Sequence, residues 1–363
     1  MKIALFGSSL VSSYWNGAAT YYRGMLKGLA AFGHQITFYE PDAFERQQHR
    51  DIADPPWARV VVYQATADAW QAAVGDAARS CDLLVKASGV GVFDAELEEA
   101  IPQICPAHAL SAYWDVDAPA TLAATDADPR HHLRYAIPLY DIILTYGGGD
   151  PVVAGYKRLG ARLCVPIYNA LDSTTHYPAP PQSRFRCDLG FLGNRLPDRE
   201  ARAEEFFLKP AKLLPHRDFL VAGAGWDDKL TPANIRKSGH VGTGDHNAFF
   251  CSSLATLNIN RHSMARIGFS PPTRVFEAAG AGVCIITDAW QGIERFLEPG
   301  REVLVAADGD QVVDSLSRLT PDIALKIGEA GRKQILAHHT YAHRARQLNE
   351  LLSETTLSGE AAE

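Results

Sequence analysis

Short apolar runs alternate with helix-length stretches along the whole chain, and this alternation constrains the fold more than any motif does. In the first half the runs are 3–6, 35–39, 83–86, 109–113 and 140–145, each closed by a turn or a polar loop. A helix is expected over 19–32, ended by Gly33-His34. Strands joined through helices need crossover connections, so they lie parallel in one sheet. The pattern restarts at 163–167 and is then interrupted by Tyr177-Pro178-Ala179-Pro180-Pro181. A proline-rich stretch with few apolar residues marks a linker, which sets a domain boundary at 178/179. Runs at 187–192, 219–222, 255–259 and 283–287 form a second series, followed by a helical region over 321–352 and a frayed C-terminal tail. The expectation is an α/β protein with two parallel-sheet domains facing across a cleft.

Composition agrees and removes several function classes. A chain of 363 residues exceeds one ordinary core, and 47% hydrophobic residues can fill two. The net charge is −7 and the basic residues are scattered, so a nucleic-acid face is not expected. Six cysteines form no CxxC pair, and most sit in apolar runs. They read as buried free thiols, which points to a reducing, cytoplasmic setting. The N-terminal apolar run is too short for a signal peptide, and no stretch reaches the length of a membrane span. The histidines form no HExxH motif, and no metal site is expected. GxGxxG and GxSxG are absent, which leaves dinucleotide and α/β-hydrolase chemistry without support.

In open α/β sheets ligands bind beyond the carboxyl ends of the strands. The first strand is followed by Ser8-Ser9-Leu10 and then Tyr14-Trp15-Asn16-Gly17-Ala18, which opens a helix. Asn16 and Gly17 are candidates for approaching an anion there; a plain strand–helix turn is the alternative. Asp115 and Asp117 close another strand. Asp115 could act as base toward an acceptor hydroxyl, while Asp117 could instead cap the helix that begins at Ala118-Pro119. In Gly193-Asn194-Arg195-Leu196-Pro197-Asp198-Arg199, Arg195 is the first candidate for a phosphate, with Arg199 and Arg202 competing for a second role. A guanidinium fixed on a leaving phosphate stabilises charge that grows in the transition state; the alternative is a surface ion pair with Asp198 or Glu200. Gly223 follows the strand at 219–222. Asn258, Asn260 and Arg261 end the strand at 255–259, with His262 beside them.

The stretch Arg274-Val275-Phe276-Glu277-Ala278-Ala279-Gly280-Ala281-Gly282, with the apolar strand after it, resembles the GT-B glycosyltransferases. Gly292-Ile293-Glu294-Arg295-Phe296, Pro299-Gly300-Arg301-Glu302-Val303 and Thr340-Tyr341-Ala342-His343-Arg344-Ala345 extend the likeness. More narrowly, the chain looks like the CgeB-like family, named for a spore-coat protein. The resemblance implies two Rossmann-like domains: residues 1–178 on the acceptor side, 179–335 binding the nucleotide sugar, and 336–363 returning as a helix to the first domain. It implies that Glu277 accepts hydrogen bonds from the donor ribose, with Arg274 and Gly193 beside the donor, and that Gly223 lies near the nucleoside base. Where retaining relatives carry a second acidic residue, eight positions before Glu277, this chain has Phe269.

The function expected is transfer of a sugar from a nucleoside-diphosphate donor to a hydroxyl of an acceptor the sequence does not name, retaining and without a metal. The catalytic candidates are Asp115, Arg195 and Asn16. Glu277, Arg195, Arg199, Gly17, Gly193, Gly223, Arg274, Asn260 and Arg261 are the donor-binding candidates. Two alternatives stand: an inactive protein of this fold that binds sugar or nucleotide, and a nucleotide-sugar epimerase.

Overall fold

A computed structural model describes residues 1–14 and 16–360, apart from the side chains of 356–360. Trp15 of the first loop and residues 361–363 of the tail lie outside the described residues. The chain divides into two units, one made of Met1–Tyr168 with Tyr341–Glu363, the other of Asn169–Thr340.

The first unit holds strands β1 (Lys2–Phe6), β2 (Gln35–Asp42), β3 (Ala58–Gln64), β4 (Leu83–Ala87), β5 (Leu110–Asp115), β6 (Ile142–Thr145) and β7 (Cys164–Pro166). They form one sheet in the order β3-β2-β1-β4-β5-β6-β7. Every pairing is parallel. Ile3 lies between Ile36 and Leu83, so the sheet grows outward on both sides of β1. The central strands β1 and β4 are apolar almost throughout because helices cover both faces.

The second unit repeats this plan with β8 (Cys187–Leu192), β9 (Phe219–Ala222), β10 (Ile235–Lys237), β11 (Ser253–Asn258), β12 (Cys284–Asp288) and β13 (Leu304–Ala306). The order is β10-β9-β8-β11-β12-β13, again parallel throughout. Renumbered within the unit, this is the 3-2-1-4-5-6 order of a Rossmann sheet, with its switch point between β8 and β11. Its core joins strand residues Leu189, Phe191, Phe219, Val221, Leu257 and Ile286 to helix residues Phe207, Val312 and Leu316.

Several expectations are corrected. The division falls at Tyr168/Asn169, before the proline-rich stretch at which the sequence placed it. The run at 163–167 does not open a second series; its strand β7 is the edge of the first sheet, paired to β6. The helical region after residue 321 is two helices, Pro321–His338 and Tyr341–Glu360, so residues 353–360 of the expected frayed tail are helix, the remainder lying outside the described residues. At the break, Thr340 bridges to Leu171, which holds both ends of the second unit together. The terminal helix therefore belongs to the first unit from Tyr341 on, where it packs on the helix Ala19–Ala31. No described helix is long and apolar enough to cross a membrane.

Candidate functional site

The switch point of the second sheet gathers basic side chains. The loop after β8 passes Gly193 and enters a short turn at Pro197–Arg199. A side chain at Gly193 would place its Cβ 2.8 Å from Arg199 Nη1. Glycine thus leaves room for the Arg199 guanidinium to lie back against the end of the strand. Gly223, at φ 130°, comes so close that an added Cβ would sit 2.4 Å from the Gly193 carbonyl oxygen. Gly223 is there for close backbone approach, while the room at Gly193 is taken by the Arg199 and Phe191 side chains.

Arg199 is half-buried. Burial lowers its pKa, as do the positive charges of Arg261 and Arg274 nearby, while Asp198 and Asp288 act the other way. Arg261 reaches Asp198 Oδ2 at 2.6 Å. Arg202 pairs with the fully buried Asp288, whose other oxygen accepts from the Asn260 backbone N–H at 3.0 Å. Arg274, in the first turn of the helix Thr273–Gly280, donates to the Leu192 carbonyl at the end of β8 (3.4 Å) and to Glu277 one turn on. Four polar atoms in this neighbourhood are buried with no hydrogen-bond partner: Arg199 Nε, Arg202 Nε and both side-chain atoms of Asn260. An unpaired buried group costs about 1–3 kcal/mol, so such a cluster needs a reason. Asn260 is only 1% exposed. Asn258, two residues earlier, is satisfied by Thr287 Oγ1 at 3.0 Å.

Glu277 is buried. Burial alone would raise its pKa, but the Arg274 guanidinium overrides this and holds it at about 2. His176 Nε2 lies 3.8 Å from Glu277 Oε1 and 3.5 Å from His246 Nδ1. Burial depresses both imidazoles, His246 to about 4. These histidines were not among the sequence candidates. Seventy positions apart, they carry no local spacing that could have found them.

The structure does not bring Arg195 into this group. Its guanidinium is engaged by Glu200 (2.6 Å) and Asp228 (3.2 Å). That is the ion-pair alternative of the sequence reading, and Glu200 is held at about 2 by the hydrogen bonds from Arg195 and Lys229. Phe269 sits at φ 48° with its N–H on the Gln291 carbonyl (2.6 Å), and the Arg295 guanidinium lies 4.7 Å from its ring centre. An aromatic residue with a cation over its face thus occupies the place of the missing acid. His262 is exposed at the start of a short helix.

In the first unit the candidates turn inward. Asn16 is buried and donates to the Ser9 and Ser12 carbonyls (2.8 and 3.0 Å) while accepting from Ser8 Oγ (2.8 Å). The loop is also held by the fully buried Glu40, which accepts from the Leu10 N–H at 2.6 Å and from Ser9 Oγ at 3.0 Å. Asp115 is fully buried: Oδ1 accepts from Ser88 Oγ and the Asp117 N–H, both at 2.8 Å, and Oδ2 from the Tyr156 hydroxyl. Burial raises its pKa against these bonds. Asn16 and Asp115 therefore offer no free atom to a ligand, and the catalytic roles expected of them do not fit their places. Asp117 stands at the N-cap position without making a side-chain capping bond. Gly17 is exposed, with open space around its would-be Cβ.

Two Rossmann-like domains of these strand orders are the architecture of GT-B glycosyltransferase structures. Residues 199–350 match a family model described as glycosyl transferase-like. The chain is similar over nearly its whole length to sucrose-phosphate synthase from Thermosynechococcus elongatus (13% identity, TM-score 0.73, 99% of this chain and 100% of that one). It is likewise similar to HepE from Anabaena in complex with UDP and glucose (13% identity, TM-score 0.68, 98% and 100%). A third such structure is an alpha-glucosyltransferase in complex with UDP and a 13-mer DNA (9% identity, TM-score 0.68, 97% and 99%). No curated protein sequence matches the chain.

Proposed function

We propose that the protein is a glycosyltransferase that takes a nucleoside-diphosphate sugar at the switch point of its second sheet and passes the sugar to an acceptor hydroxyl. The observation that carries this reading is the group of Arg199, Arg202, Arg261 and Arg274 around the ends of β8 and β11, with Arg199 Nε, Arg202 Nε and the Asn260 side chain buried and unpaired, and with Arg274 joined to the ionised Glu277. Arginine forks onto phosphate oxygens, and fixed positive charge stabilises a diphosphate as it leaves. A carboxylate offers acceptor oxygens to vicinal ribose hydroxyls. The neighbours solved with UDP and with UDP-glucose make a uridine donor the first to test. Arg199 is the better phosphate ligand; Arg195 is already matched by two acids. The CgeB-like branch, the retaining outcome and independence from metal are the finer parts of the proposal, and they rest on the likeness of 274–282 and its flanking segments.

The test is thermal shift against UDP, GDP, ADP and their sugars, followed by turnover with the nucleotide that stabilises most. One base should raise Tm in proportion to the logarithm of its concentration, and Arg199→Ala should remove that rise. Stabilisation by none of the nucleotides would refute the donor site. Binding without turnover across a broad acceptor panel would favour a binding protein, and product formed from donor alone an epimerase.

A further inference from the structure

Outside the donor site, we infer that Arg46 anchors a site in the first unit for the carboxylate or phosphate group of a small ligand. Arg46 follows β2 and is only 6% exposed. Its Nη1 donates to two backbone carbonyls, those of Ser8 (3.2 Å) and Val90 (3.0 Å). Ser8 comes just after β1 and Val90 just after β4, so the side chain lies across the switch point of the first sheet. Open α/β sheets take their ligands at such points. The two bonds use both hydrogens of Nη1. Nε is buried with no partner, and Nη2 makes no hydrogen bond to the described residues. The remaining edge of the guanidinium carries an N–H on each of these nitrogens, side by side in one plane. That edge is the fork with which arginine grips a carboxylate or phosphate through two parallel bonds.

An arginine is rarely buried this far unless an acid pairs with it. The acids whose charge reaches Arg46, Glu40 and Asp94, act on it at longer range. Both are committed elsewhere. Glu40 accepts from the Leu10 N–H, Ser9 Oγ and Gln47 Nε2. Asp94 accepts from Lys86 Nζ (2.7 Å) and from the N–H groups of Val90 (3.1 Å) and Gly91 (2.8 Å). Phe44 covers one face of the guanidinium, its ring centre 4.9 Å from Cζ, and leaves the in-plane edge uncovered. Phe44 and Glu45 both stand at φ 56°, two successive non-glycine residues in the left-handed region, which persists only where the surroundings hold it. The Tyr22 hydroxyl is likewise buried with no partner and feels the charge of Arg46, so it is a second donor toward the same anion. The acid that Arg46 lacks within the chain is the one it is placed to take from a ligand. Within the proposed reaction, and resting on that reading, the ligand is the acceptor, which makes the acceptor an acid.

The experiment uses the full chain labelled with ¹⁵N-arginine and free of nucleotide, so a failure of the donor site leaves its result standing. The Nε–H signal of Arg46 is identified by its loss in Arg46→Lys, a variant that keeps the charge and is first confirmed folded by circular dichroism. Inorganic phosphate, acetate, glucose 6-phosphate and glucuronate are titrated in, with glucose as the neutral control. A saturable shift of the Arg46 signal by the phosphates or by the carboxylates is expected, with none from glucose, and whichever pair acts tells phosphate from carboxylate. Arg46→Lys should weaken binding of the acting compound, read by calorimetry, about 10-fold or more, because lysine cannot reproduce the fork. No shift with any of the four anions overturns the proposal, and so do shifts confined to other arginines or unchanged affinity in Arg46→Lys. In the acceptor panel the compounds that turn over should be acids, with a KM raised about 10-fold in Arg46→Lys and the KM of the donor unmoved. Turnover of neutral acceptors alone would remove the acceptor role.

Discussion

Of the arginines between 194 and 202, Arg199 is half-buried among other positive charges, while Arg195 is partnered by two acids. A half-buried cation that acids reach only through longer-range charge has free energy to gain from an incoming diphosphate. Arg199→Ala is therefore expected to lower kcat/KM about 10²- to 10³-fold, as removal of a transition-state donor does. Arg195→Ala should change it less than about fivefold, because a partly exposed ion pair contributes little. Steady-state kinetics on the two variants reads the difference, and equal losses would reverse the assignment. Glu200 gives a pH prediction at the same scale. Its folded pKa of about 2 lies below the ordinary value of 4.5, because Arg195 and Lys229 hydrogen-bond to it. A depressed carboxylate contributes stability above its unfolded pKa and loses it as pH falls through the folded one. The Tm gap between the wild type and Glu200→Gln should therefore shrink between pH 4.5 and 2. Being partly exposed, the pair is screened, so the gap should be small at pH 7 and smaller in high salt.

At the scale of elements, close approach at two glycines shapes the end of β8. Gly223→Ala would force a Cβ to 2.4 Å from the Gly193 carbonyl and hold alanine at φ 130°. The strain alone is worth about 1–3 kcal/mol, and the clash adds to it. Gly242→Ala, at φ −69° with open space around it, should stay within about 0.5 kcal/mol of wild type. Chemical denaturation of both variants checks the contrast. How much could be read beforehand follows the same physics. β8 and β9 begin and end where the sequence placed them, because their apolar runs are buried on both faces and bounded by turn residues. Three edge strands escaped, while β7 was read. β10 and β13 are three residues long, too short to show a period, and β3 (Ala-Arg-Val-Val-Val-Tyr-Gln) is only partly buried. The helix that carries Glu277 was legible from the prolines before it and the small residues after it. Which loop arginine lies against Gly193 depends on tertiary packing, and so does the meeting of His176 with His246. Asp115 and Asn16 misled because a polar residue after a strand looks the same whether it faces a ligand or ties its own loop.

For the whole molecule, the decisive fact is that the first unit is built from two distant pieces of chain. The helix Tyr341–Glu360 lies on the helix Ala19–Ala31 at its glycines: a Cβ on Gly24 would fall 2.2 Å from Tyr341 Cδ2, and one on Gly28 2.5 Å from Ala345 Cβ. Tyr341, Ala345, Leu348 and Leu352 are all buried there. Fully burying a large apolar side chain is worth about 1.5–3 kcal/mol, so losing the tyrosine and two leucines removes on the order of 5 kcal/mol or more. That is comparable to the whole stability of an ordinary domain, about 5–15 kcal/mol. The second unit, Asn169–Thr340, draws its core from its own residues and loses none of them. A chain ending at Thr340 should therefore lose or strongly lower the thermal transition of the first unit while keeping that of the second. Gly24→Val in the full chain should produce a milder form of the same asymmetry. Calorimetry resolves the transitions, and a nucleotide that stabilises the second unit identifies which peak belongs to it. If truncation abolished both transitions together, the two units would fold as one cooperative body, and nucleotide binding in the second would then depend on the terminal helix of the first.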